Sequence, residues 1–328
     1  LVFHPEVFEH VKSLLSSRNV IINQLNRDQA LLPVNCTVLH NPVGTASGMW
    51  FEKSGTIFIS MPGVPFEMEA IMTEEVFPRL KLLRKSRAIV HKTVLTIGIP
   101  ESMLAERIEA WEDALPKYIK LAYLPNPMMV RLRLSGYGTD ELVLKTEIDK
   151  QVKGLLNLIP EAVFGYDNDN LGIVLGRMLV SSGKTMATAE SCTGGSIAQL
   201  ITSNPGSSAY FKGGVVAYSN EIKNKLLGVP DKIIEEYGAV SQEVAELMAV
   251  GARENLGTDY AVATTGIAGP DGGSDEKPVG TVWIAVAGAN GVSSKKYVFK
   301  HNRERNIIRS THTALNMLRI FIQTEIQN

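Results

Sequence analysis

The chain has 328 residues, 45% of them hydrophobic and 20% charged, with a net charge of −1, the balance of a soluble globular protein large enough for two or three domains. A charge so close to zero creates no field that would hold a polyanion, so no nucleic-acid partner is expected. No apolar run approaches the ~18 residues of a membrane helix, the opening LVFHPEVFEHVK is too charged for a signal peptide, and Cys36 and Cys192 alone build neither a disulfide framework nor a four-cysteine zinc site. A cytoplasmic protein with no membrane contact is expected.

Residues 1–88 open with an amphipathic helix whose Val7, Val11, Leu14 and Leu15 share one face, and no glycine precedes Gly44. Turn-rich HNPVGTASGMWFE follows, then the strand TIFISM, which is expected to lack neighbours, and PGVPFEME. There Glu69 is an ordinary first-turn acid. Glu67 is either the same or a cation ligand. From about residue 90 the pattern runs strand KTVLTIGI, helix 102–112, strand MMVRLRLSG and helix 141–158, an α+β unit closed by FGYDNDN (164–170), which reads as a polar linker. Beyond residue 168 helices and strands alternate. LGIVLGRMLVSSG is a helix closed by Gly183, and SQEVAELMAVGARENLG is a helix capped by Ser241 and ended by Gly257. GTVWIAVAG and VSSKKYVFK form a hairpin, which predicts a three-layer α/β domain with a mixed sheet.

In TMATAESCTGGSIAQL a strand gives way to a helix at Ser191, Cys192 and Thr193. The N–H groups of Thr193, Gly194 and Gly195 then either bind an anion or oxyanion, as an open helix start permits, or belong to a Ser/Thr cap with turn-making glycines. Tyr218 ends a later strand, with Lys223 about one helical turn beyond it. A long loop holding Gly266, Gly269, Gly272, Gly273 and Gly280 either wraps backbone donors around a ligand or simply connects two strands. No G-x-S-x-G is present, and the only histidines after residue 100 are His301 and His312, which leaves serine–histidine and cysteine–histidine catalysis without support. Ser191 with Lys223 as base needs neither, provided that burial or a neighbouring cation such as Arg303 keeps the amine neutral. Tyr218 would be its proton relay. By spacing alone Lys223 reads more readily as a solvated helix lysine.

AESCTGGSIAQLIT, PGSSAYFKGGVVAYSNEIKNKLLGV, GAVSQEVAELMAVGAR and TTGIAGPDGGSDEKPVGTVWIAV together resemble the C-terminal domain of the CinA (competence/damage-inducible) family, across nearly all of residues 168–325. Its stand-alone form is a nicotinamide mononucleotide amidohydrolase. The resemblance therefore implies hydrolysis of that carboxamide to nicotinate mononucleotide and ammonia, without a cofactor. It carries the family's serine–lysine pair onto Ser191 and Lys223, its tyrosine onto Tyr218, and its hydroxyl before the GIAGPDG loop onto Thr265. Thr193, Gly194, Gly195 and Gly269 would contact the substrate. The family's arginine opening the last helix falls on Arg303, but KHNRER departs from the usual Gly-Asp-Arg pattern, so Arg305 competes.

NPVGTASGMW and ISMPGVPFEMEAIM resemble the second half of the molybdopterin-cofactor-binding-like domain that begins CinA proteins, and the unit at 90–165 resembles their KH-like domain. For a whole first domain this implies ADP-ribose pyrophosphatase activity with divalent metal and potassium. The opening strand and Gly-rich acidic segments of that domain do not appear, so the chain is expected to start late and to lack that activity. The expected domains are 1–88, a partial molybdopterin-binding-like domain; 89–167, KH-like; and 168–328, the amidase. The expected partners are a small nucleotide substrate and a second copy in a homodimer. The KH-like unit carries no G-x-x-G loop flanked by basic residues, which argues against RNA. The rival reading is a protein that holds a nucleotide without hydrolysing it, or docks a partner.

Overall fold

In the computed structural model, which describes residues 1–17, 20–83, 88–126 and 128–327, the strands buried along nearly their whole length all come from the second half of the chain. Contacts divide the chain into two units, Leu1–Arg87 and Ala88–Asn328.

The first unit holds β1 (Val2–Phe3), α1 (Pro5–Ser16), α2 (Gln24–Asp28), β2 (Leu31–Leu32), β3 (Thr37–Leu39), β4 (Gly48–Lys53), β5 (Thr56–Ser60), α3 (Pro65–Ile71), a π-helical turn Met72–Val76 and α4 (Phe77–Leu83). The proline at the start of α1 suits a position whose N–H would be unpaired anyway. The helix buries Val7, Val11 and Leu15 against Ala30 and Leu32. The TIFISM strand does have a neighbour: β5 pairs antiparallel with β4 through the tight turn Ser54–Gly55, both residues at positive φ. Glu67 Oε2 accepts a hydrogen bond from Asn41 Nδ2 at 2.7 Å.

The second unit begins with β6 (Ala88–Ile97), α5 (Glu101–Asp113), β7 (Ile119–Pro125), β8 (Met129–Gly138), α6 (Glu141–Leu158) and β9 (Val163–Tyr166). They form an antiparallel sheet in the order β7-β8-β6-β9. The linker expected at 164–170 is therefore corrected. Phe164, Gly165 and Tyr166 belong to β9, which pairs with β6, and Asn170 caps the next helix by accepting the Ile173 N–H. A four-residue strand containing a glycine and followed by Asp and Asn carries the sequence marks of a turn. Only its pairing with β6 makes it a strand.

There follow α7 (Leu171–Ser182), β10 (Met186–Glu190), α8 (Ser196–Thr202), a 3-10 turn Ser207–Ala209, β11 (Phe211–Val216), α9 (Asn220–Leu227), α10 (Asp231–Tyr237), α11 (Gln242–Asn255), β12 (Tyr260–Gly266), β13 (Thr281–Gly288), β14 (Gly291–Val298) and α12 (Arg303–Gln327). The sheet order is β11-β10-β12-β13-β14. β10 runs parallel to both β11 and β12, and β12, β13 and β14 are successively antiparallel. The sheet is mixed and ends in the expected hairpin. Gly183 closes α7 in the left-handed region and the Ser241 hydroxyl caps α11, as their sequences predict.

Strand periodicity sorts the side chains into two layers. Met186, Val262, Ile284 and Val286 face α7, α8 and α12, packing with Leu175, Leu179, Ile197, Ile201, Leu315 and Leu318. The opposite face is made of alanines, Ala187, Ala189, Ala261, Ala263, Ala285 and Ala287, against Val244, Met248 and Ala252 of α11. So flat a face lets α11 lie close to the strands. The first layer also takes in Leu95, Ile97 and Phe164, so the antiparallel sheet and the mixed sheet share a core across residue 168. No described helix is long and apolar enough to cross a membrane.

α11 also lies close to α9. A Cβ added at Gly251 would fall on the carbonyl oxygen of Leu227, closer than any real contact. Gly251→Ala is expected to destabilise the protein by about 1–3 kcal/mol, since neither backbone yields easily. Chemical denaturation of the variant measures this, and an unchanged midpoint would show that the two helices are not held in contact.

Candidate active site

Parallel strands β10 and β12 place Glu190 opposite Thr264, and the chain leaves β10 at the edge where the strand order reverses, a place where open α/β sheets gather ligands. Ser191 is the first residue beyond β10, and its N–H donates to the Thr264 carbonyl at 2.9 Å. Lys223 comes from α9, whose start is fixed by the Ser219 hydroxyl accepting the Ile222 N–H. The Lys223 Nζ stands 3.2 Å from Ser191 Oγ and donates to the Ala217 carbonyl at 2.9 Å. Lys223 is only 2% exposed. Burial pushes its amine below the usual value of 10.5, against a smaller opposing effect of Cys192. Desolvation is thus the mechanism that favours the neutral amine, and the expected contribution of Arg303 is not among its causes.

Cys192 is turned into the first core layer beside Ile197 and Ala268. Burial pushes its thiol up to about 12, so at neutral pH it is a thiol and not the nucleophilic thiolate. Thr265, also buried, donates its hydroxyl to the Ala239 carbonyl at 2.6 Å. At the mouth, Arg303 opens α12 and donates through Nη1 to the Gly269 carbonyl at 2.8 Å and through Nη2 to the Tyr218 hydroxyl at 3.0 Å. Ser191, Cys192, Tyr218, Lys223, Thr265 and Arg303 line one cleft of about 210 Å³, together with Asn220, which sequence reasoning did not single out. Arg305 lines a different cleft, with Asn126, Met128 and Ile308. Between the two competing arginines, Arg303 faces the site.

Two expectations need correction. Tyr218 is exposed and its hydroxyl is bonded to Arg303, whereas the Lys223 amine is bonded to Ser191 and Ala217, so a direct relay from Tyr218 to the lysine has no hydrogen bond to run through. Gly269 has φ +90° and offers its carbonyl to Arg303, which positions the arginine at the mouth of the cleft. At Gly194 and Gly195 the start of α8 is not an open anion site. The Glu190 carboxylate takes the Gly195 N–H at 3.1 Å, the Ile197 N–H at 3.0 Å, the Ala198 N–H at 2.8 Å and the Thr193 hydroxyl at 2.7 Å. The Gly194 N–H is bonded to the Ser191 carbonyl at 3.2 Å. Gly194 and Gly195, at φ +61° and +99°, make the turn, and Thr193 helps to cap it. The one signal available was Glu190 itself, an acid at the end of β10 shortly before a helix start.

Residues 168–322 match the CinA C-terminal domain, and residues 91–165 match the KH domain of damage-inducible protein CinA. A CinA-like protein of Flavobacterium psychrophilum is 49% identical over 320 residues, covering 97% of this chain and 77% of that protein. A putative competence-damage inducible protein of Halothermothrix orenii is 40% identical over 319 residues, covering 97% and 76%. Among solved structures, the competence/damage inducible protein CihA from Agrobacterium tumefaciens is 40% identical, covering 47% of this chain and 97% of that one with a TM-score of 0.44.

The two cysteines differ in exposure: Cys36 is partly exposed and Cys192 is buried. Iodoacetamide at neutral pH is therefore expected to label Cys36 in the folded protein and to reach Cys192 only after denaturation. Peptide mass mapping reads the order. Labelling of Cys192 first would mean that the thiol is accessible and ionised.

Proposed function

The chain belongs to the CinA family, and we propose that its C-terminal domain hydrolyses the carboxamide of nicotinamide mononucleotide to nicotinate mononucleotide and ammonia. The observation that supports this most directly is the buried Lys223 Nζ at 3.2 Å from Ser191 Oγ. A neutral lysine amine at that distance accepts the serine proton as Oγ bonds to the carboxamide carbon. The resulting ammonium returns that proton to the departing nitrogen, so the C–N bond breaks and ammonia leaves a nicotinyl ester on Ser191. Water then attacks the ester, giving its proton to Lys223. The lysine passes it to Ser191 Oγ as the acid is released.

The mouth of the cleft suits an anionic substrate. Arg303 carries five N–H donors, and its two hydrogen bonds, to Gly269 and Tyr218, leave donors and a full positive charge for the phosphate. Tyr218 holds the guanidinium in place, which gives this exposed tyrosine a part without a proton relay.

Incubation of the 328-residue chain with nicotinamide mononucleotide is expected to release ammonia and nicotinate mononucleotide in equal amounts, measured by liquid chromatography. Ser191→Ala and Lys223→Ala should each lower kcat by about a thousandfold or more, and the double variant should be little worse, because the pair acts as a unit. Cys192→Ala should stay within about tenfold. Binding without release of ammonia, or an active Ser191→Ala protein, would overturn the reading.

The lowered Lys223 pKa fixes the sign of the pH dependence. Activity requires the neutral amine, so kcat/KM should rise with pH through a value below 10.5 and lose that limb in Lys223→Ala. Between that value and 10.5 the unfolded chain binds more protons at this lysine than the folded one. The contribution of Lys223 to stability therefore also rises with pH across the same window.

A further inference from the structure

Glu190 is buried to 1% exposure and directly precedes Ser191. Three of its four partners, the N–H groups of Gly195, Ile197 and Ala198, only donate, so the side chain acts there as a carboxylate. Its fourth partner, the Thr193 hydroxyl, also lies 2.7 Å from Thr264 Oγ1. Because Thr193 gives its single proton to the carboxylate, the Thr264 hydroxyl must donate to Thr193. The same Thr264 accepts the Ser191 N–H through its carbonyl. The turn that carries Ser191 is thus gripped twice, by Thr264 from β12 and by Glu190 from β10.

We infer that Glu190 is the positioning residue of the nucleophile, and that the Thr264–Thr193–Glu190 hydrogen-bond chain holds Ser191 Oγ within reach of the Lys223 amine. The inference rests on the amidase reading only in taking Ser191 as the nucleophile. The carboxylate serves the turn and not the substrate: every polar contact it makes lies inside residues 193–198. Glu190 is also absent from the cleft that Ser191, Lys223 and Arg303 line. A charged acceptor is needed, since a glutamine side chain has one acceptor oxygen for the four donors and would set an NH₂ group against at least one backbone N–H. Leaving such a donor unpaired in the interior is costly enough to shift the turn. A shift of about 1 Å in a reacting group lowers a rate by about a hundredfold.

The test uses the full chain with Glu190→Gln, Thr264→Val and Thr264→Ser, and two readouts: labelling of Ser191 by a fluorophosphonate, followed by mass spectrometry, and kcat and KM for the amide substrate. Glu190→Gln is expected to lower both the labelling rate and kcat by about 10- to 100-fold with KM changed less than about threefold. Thr264→Val should lose about tenfold in both, and Thr264→Ser, which keeps the hydroxyl, should recover the wild-type values. A residue that only stabilised the fold would lower the melting temperature and leave the labelling rate of the folded protein unchanged. Wild-type labelling in a folded Glu190→Gln protein overturns the proposal. If that variant does not fold, Thr264→Val decides, and wild-type labelling there overturns it equally. Should Ser191 fail to label in the unaltered chain, the amidase reading falls as well, a result distinct from normal labelling that is indifferent to Glu190.

Discussion

Withdrawal of the Lys223 amine from water is the constraint on which the rest of this site depends. An ammonium so placed, bonded to a serine oxygen and one backbone carbonyl, loses hydration that no carboxylate among the described residues replaces, and that loss favours the neutral form. The exclusion of water traces back to small residues. Alanines on one face of β10, β12 and β13 bring α11 onto the sheet, and Gly251 of α11 lets the backbone of α9 approach to contact. Lys223 rides on α9 and so ends inside the packing. Larger side chains at those positions would hold the helices apart and readmit the solvent that keeps a lysine charged.

A second constraint follows from having an acid and a base on either side of one strand end, Glu190 before Ser191 and Lys223 against it. A carboxylate facing Lys223 would pair with it and hold it protonated. Strand alternation prevents this: Met186 faces the α8 and α12 layer while Ala187 and Ala189 face the α9 and α11 layer, so Glu190, in register with Met186, points to the first layer, away from α9. There the charge of Glu190 is absorbed by three backbone N–H groups and one hydroxyl. Its negative charge is favourable at the start of a helix. The same residue two positions earlier or later would keep its face, and one position away it would enter the layer of the lysine.

Much of this architecture is legible in the sequence because its signals are local. Gly183 and Ser241 terminate helices by chemistry confined to a few residues, and the β13–β14 hairpin follows from two apolar or alternating runs around a short turn. β7 and β9 are not so legible. Their residues carry weak patterns and become strands only by pairing with β8 and β6. The same division holds within the site. That Ser191 lies at a strand end and Arg303 at a helix start could be read from position. Whether Lys223 was solvated or buried could not, since its spacing along α9 is the same in either case and its burial is decided by contacts with residues outside that helix, Ser191 and Ala217 among them. The misreading of Gly194 and Gly195 has a similar origin. A glycine turn before a helix looks identical in sequence whether its donors face a ligand or a neighbouring side chain.

Position also distinguishes the two adjacent candidate nucleophiles of the proposed reaction. A thiol is intrinsically the better nucleophile, but only as thiolate, and Cys192 lies among Ile197, Ala268 and their neighbours, where ionisation is strongly opposed. Lys223 cannot offset this. A base whose own proton affinity has been reduced by burial is poorly suited to draw a proton from a thiol raised to about 12, and stabilising a thiolate would require the charged ammonium that burial disfavours. Serine makes no such demand, because its hydroxyl need never ionise before attack; it passes its proton to the amine as the new bond forms. Burial thus acts in opposite directions on the two groups beside Ser191, raising the thiol and lowering the amine.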